Sequence, residues 1–72
     1  MTGVLKKRSF TLSGHRTSVA LEPEFWTLIE AEAAKSHLSL AAFVGAIDAV
    51  RGKHPLASAL RLRALTAAKT RQ

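Results

Sequence analysis

The chain contains no cysteine and no tyrosine, and its 72 residues include only two prolines and one tryptophan. Without thiols there is no disulfide framework, no zinc ribbon and no cysteine redox chemistry. Three Phe and one Trp are the only aromatic residues, so little bulk is available for a core. Acids are scarce too, five against 11 Lys and Arg, for a formal net charge of +6. No apolar run approaches the roughly 18 residues of a membrane span, and no signal-peptide stretch opens the chain. A cytoplasmic protein with no membrane partner is expected.

The hydrophobic fraction is 47%, which is too high for a disordered basic tail. A domain this small buries only about 60% of the surface its unfolded chain exposes, so an oligomer interface is the expected remedy. Charge is unevenly distributed. Residues 1–21 hold Lys6, Lys7, Arg8 and Arg16 with no acid, whereas residues 22–50 hold all five acids against Lys35 alone. Residues 51–72 carry six bases and no acid. The chain is an acidic centre between basic ends, and a basic end reads either as a solubilising tail or as a footprint for nucleic acid or an anionic membrane surface.

From Arg16 to Leu21 polar and apolar side chains alternate, with Arg16, Ser18 and Ala20 on one face and Thr17, Val19 and Leu21 on the other. This is the period of a half-buried strand. Arg8 to Leu12 alternates similarly, and Ser13-Gly14 between the two is a turn signal. The pair reads as a hairpin or as a strand preceded by a mobile arm; an arm over residues 1–14 that orders only in part is the expectation. One secure strand then needs a partner for its hydrogen bonds.

Pro23 opens a helix expected to run to about Ser36, with Phe25, Leu28, Ile29 and Ala33 as its stripe and Trp26 on the flank. Glu32 falls inside that arc, so it reaches to the edge or pairs with a base from another element. His37 stands where Gly or Asn usually turns the chain. Ser39 caps a second helix whose stripe is Leu40, Phe43, Val44, Ile47 and Val50, ending near Arg51-Gly52. Gly52 to Pro55 breaks the chain. A third helix from Leu56 to about Lys69 has a stripe of Leu56, Leu60, Ala64 and Ala67, while Leu62 and Leu65 fall on other faces, so it should touch more than one surface. The expected organisation is an arm over 1–14, a core over 15–52, and a C-terminal helix with a basic tail over 53–72.

No catalytic or metal site is read. His15, His37 and His54 share no ligand spacing, no Gly-rich phosphate loop is present, and no cofactor is implied.

One short strand followed by two helices, the second opened by a capping serine, resembles the ribbon-helix-helix (MetJ/Arc) superfamily of DNA-binding proteins. The residues that carry the likeness are Arg16 to Leu21, then Phe25, Ile29, Ala33, Leu38-Ser39, Phe43, Val44 and Ile47. Gly14 to Val19 with Glu22 to Trp26 is further similar to a bacterial subfamily that adds a C-terminal helix, here fitting Leu56 to Leu62. The resemblance implies a mainly α fold with one strand per chain, in an intertwined homodimer whose strands pair as a two-stranded antiparallel ribbon. It implies double-stranded DNA as partner, with Arg16, Ser18 and Ala20 reading bases in the major groove. Phosphates would be held at the start of the second helix by Ser39, Leu40 and Ala41, with Lys6, Lys7 and Arg8 on flanking phosphates. Val19, Leu21, Phe25, Ile29, Phe43, Val44 and Ile47 would form the dimer core. The implied function is a cytoplasmic, nucleoid-associated regulator of transcription, most simply a repressor. The alternative is an interaction module, antitoxin-like or an adaptor, whose C-terminal helix binds a partner protein.

Overall fold

The computed structural model describes residues 4–70, and Thr70 in backbone only. Of the expected arm and tail, residues 1–3 and 71–72 lie outside the described residues. The order of elements is β1 (Lys6–Leu12), β2 (His15–Leu21), α1 (Pro23–Lys35), α2 (Leu40–Val50) and α3 (Leu56–Thr70).

The described residues hold two strands, not one, and most of the segment expected as a partly ordered arm is a regular strand. β1 pairs antiparallel with β2 from Lys6↔Leu21 to Leu12↔His15. Ser13 and Gly14 close the hairpin with φ of 51° and 80°, the positive pair that a two-residue type I′ turn requires. The hydrogen-bonding partner that β2 needs on one edge is therefore supplied by its own chain. Two further contacts hold β1 against α1: Trp26 Nε1 donates to the Lys6 carbonyl at 2.7 Å, and Arg8 pairs with Glu30 at 2.6 Å. The Arg8 guanidinium also lies 5.1 Å from the centre of the Trp26 ring, so the same cation makes a cation–π contact.

The strands place Phe10, Leu12, Val19 and Leu21 against the helices, and all four are buried. α1 contributes Trp26, Ile29 and Ala33, whereas Phe25 and Leu28 are only partly buried. The buried arc of α1 is thus turned toward Trp26 relative to the expected stripe, because Phe10 and the start of β1 occupy that side. Glu32 remains inside the arc, with its side chain 13% exposed and Lys35 Nζ 3.4 Å away, but its Oε2 accepts no hydrogen bond. The reaching lysine belongs to the same helix, one turn on.

α1 ends with two bonds of a Schellman motif, Leu38 N–H to Ala33 O at 2.9 Å and His37 N–H to Ala34 O at 3.0 Å. His37 holds the left-handed position with φ 59°, a conformation that costs a non-glycine residue roughly 1–2 kcal/mol. Ser39 then caps α2, its Oγ accepting from Ala42 N–H at 3.1 Å. α2 buries Phe43 and Val44. Gly45 is half-buried and faces β1; a Cβ there would lie 3.6 Å from Leu12, an ordinary contact, so glycine is not demanded by space. Asp48 is the only charged residue of α2, yet Ala41, Ala42, Ala46, Ala49 and Val50 are exposed.

α3 completes the core. Leu56, Leu60, Ala64 and Ala67, the stripe read from the sequence, are all buried, and the helix packs on α1, α2 and β2. A bidentate pair locks it in place: Arg61 Nε and Nη2 donate to the two carboxylate oxygens of Glu22 at 3.0 and 3.3 Å. Those hydrogen bonds from Arg61 hold the Glu22 carboxyl below its ordinary value. A lowered folded-state pKa contributes stability that is present above the unfolded value and lost as pH falls through the folded one.

Candidate nucleic-acid interface

Alternation along both strands of the hairpin sorts their side chains onto two faces. The inner face carries Phe10, Leu12, Val19 and Leu21 together with Arg8, whose charge is turned toward Glu30 and Trp26. The outer face carries Lys7, Ser9 and Thr11 of β1 beside Ala20, Ser18 and Arg16 of β2, in that register. All are exposed except Ala20, which is half-exposed. Ser9 Oγ and Ser18 Oγ lie 2.9 Å apart and share a hydrogen bond across the strands.

The charge on this face follows from how the acids are used. Glu22 pairs with Arg61, Glu30 with Arg8, Glu32 with Lys35, and Asp48 with Arg51. Neither strand contains an acid. Among the described residues no ion pair engages Lys7 or Arg16, so the outer face presents free cations and hydroxyls with no carboxylate among them. Such a face attracts polyanions and repels other cations. Much of the C-terminal positive charge is, by contrast, tied to the fold. Arg51 bonds to Asp48 and to the His54 carbonyl, Arg61 to Glu22, and Arg63 lies 5.7 Å from the centre of the Phe43 ring.

The site residues expected from the sequence are thus only partly brought together. Arg16, Ser18 and Ala20 share the outward face, and Lys7 joins them. Lys6 is exposed at the start of β1 but alternates with the inner face, and Arg8 is half-buried there. Ser39, Leu40 and Ala41 stand apart at the start of α2, where the first N–H groups of the helix have no carbonyl behind them. Of the seven expected dimer-core residues, Val19, Leu21, Ile29, Phe43 and Val44 are already buried within one chain, and Phe25 and Ile47 are partly buried. Ser9 and Thr11 are additions to the expected set. Their alternation with Phe10 is the sequence signal for them, and it counts only if β1 is a strand rather than an arm.

No pocket and no cluster of three or more potential metal ligands occurs among the described residues. No described helix is long and apolar enough to cross a membrane.

A family model described as a ribbon-helix-helix domain matches residues 5–68. No match to the chain was found among curated proteins or among solved structures.

Proposed function

The chain belongs to the ribbon-helix-helix family, whose members generally bind DNA and regulate transcription, and on that premise we propose that it is a homodimeric repressor reading the major groove. The observation that carries this reading is the outer face of the hairpin, where Arg16 and Ser18 stand exposed with no acid on either strand. A β-ribbon fits the major groove, Arg donates two bonds to guanine O6 and N7, Ser bonds to several base edges, and the Ala20 methyl suits a thymine methyl. Lys6 and Lys7 contact flanking phosphates. The N–H groups of Leu40 and Ala41 with Ser39 clamp another, as helix N-termini do. Arg8 reaches a phosphate only by leaving Glu30.

Two features support a second copy. Among the described residues no strand lies beside the β2 edge away from β1, so β2 of one chain can pair with β2 of its partner. α2 is apolar nearly all round but exposes Val50, with Ile47 half-buried, and a helix of that kind is normally covered on more than one side. The repressor acts in the cytoplasm at the nucleoid, by occupying a promoter.

Affinity for duplex DNA is expected to fall steeply and linearly on a log–log scale as salt rises from about 50 to 200 mM. Fluorescence anisotropy with a labelled duplex measures it, and duplex binding absent at low salt contradicts the proposal. One observation favours a second reading. Leu62 and Leu65 of α3 are 55% and 49% exposed, which suits a helix that docks a partner protein, as an antitoxin-like or adaptor module does. Salt-independent binding to a protein without affinity for DNA is the result that separates it from a repressor.

A further inference from the structure

The hairpin adds a strand to the ribbon, and the width of the resulting sheet determines what that strand can touch. Neighbouring strands lie about 4.8 Å apart. With β2 paired to β2 of a second copy, the order becomes β1-β2-β2-β1, and the outer strands stand roughly 14 Å apart. The major groove is only about 12 Å wide. The central pair enters it, but the flanking strands cannot follow to the same depth; they lie over the sugar-phosphate walls.

We infer that β1 is a phosphate-binding rail, with Lys7 and Thr11 on the groove walls and Ser9 orienting the base-reading Ser18 hydroxyl. This rests on the DNA-binding reading above and on pairing of β2 with its copy. Lys7 and Thr11 point to the same side as Ala20 and Arg16, their cross-strand partners, so they meet the duplex whenever β2 does. Among the described residues neither is engaged elsewhere by an ion pair or side-chain hydrogen bond, whereas Ser9 is bonded to Ser18 Oγ at 2.9 Å. The rail is also held in place before binding. Trp26 Nε1 fixes the backbone at Lys6, and Arg8 fastens the next inward-facing position to Glu30, so β1 need not be ordered by the DNA. Lys7 and Thr11 thus contribute affinity without sequence information, and β2, with Ser18 held by Ser9, contributes the discrimination.

The test uses the full-length chain with Lys7→Gln, Thr11→Val and Ser18→Ala. Binding is followed by anisotropy on a duplex enriched from a random pool by the wild-type protein and on a shuffled duplex of equal length. Lys7→Gln is expected to make the salt dependence shallower by roughly 1 for each phosphate no longer neutralised, about 2 per dimer. Thr11→Val weakens both duplexes by the same factor, and Ser18→Ala changes the ratio between them. Because Lys7 and Thr11 are exposed, both variants melt as the wild type does. An unchanged salt slope in Lys7→Gln, or a changed ratio between duplexes in Lys7→Gln or Thr11→Val, overturns the rail. The second result would place β1 inside the groove, as a single hairpin binding alone. A wild-type chain that binds neither duplex overturns the DNA-binding reading itself.

Discussion

Leu60→Ala is expected to destabilise the chain by about 2–5 kcal/mol, the cost of emptying a well-packed leucine site. Leu60 is fully buried and is among the largest side chains that α3 inserts into the core. The helix packs on α1, α2 and β2 at once, so the space it leaves cannot be closed by moving one neighbour. Such a destabilisation is a large fraction of the roughly 5–15 kcal/mol typical of a whole domain. Urea unfolding of wild type and variant measures it, with Leu62→Ala as the exposed control expected to change stability by no more than about 0.5 kcal/mol. A change below about 1 kcal/mol for Leu60→Ala would contradict the role of α3 as the element that closes the core.

Arg16→Ala is expected to weaken binding to the preferred duplex by about 1–3 kcal/mol for each guanine that arginine reads, roughly 5- to 150-fold. The effect should be smaller on unrelated DNA, where arginine meets phosphates rather than matched base edges, so discrimination falls along with affinity. Arg16 is exposed, and no ion pair engages it among the described residues, so the fold does not depend on its charge. Equal affinities of wild type and variant for the preferred duplex would remove β2 as the reading strand.

Much of the fold follows from local patterns. Pro23 and the Ser39 cap mark the helix starts, Gly52 with φ 61° follows the end of α2, and the four-residue stripe of α3 is buried as its spacing requires. β1 is the element that local pattern leaves undecided, since the alternation of Arg8 to Leu12 and the Ser13-Gly14 turn signal suit a hairpin and an arm alike. Its Lys6-Lys7-Arg8 run has the composition of a solvated arm, while the contacts that order it come from Trp26 and Glu30, 20 and 22 residues away. No local pattern carries such contacts. Likewise Arg61 reads as one more C-terminal cation until Glu22, 39 residues earlier in sequence, is seen to receive it. On the outer face, alternation alone identifies Arg16, Ser18 and Ala20. Ser9 and Thr11 become visible only once the register of the hairpin sets them beside these residues.

The proposed orientation on DNA is tested most directly by mapping amide chemical shifts as duplex is added to the ¹⁵N-labelled chain. The largest changes are expected at Lys7 to Thr11, at Arg16 to Ala20 and at Ser39 to Ala41, with the exposed side of α3 unaffected. Changes centred on Leu62 and Leu65 that spare the hairpin would contradict it.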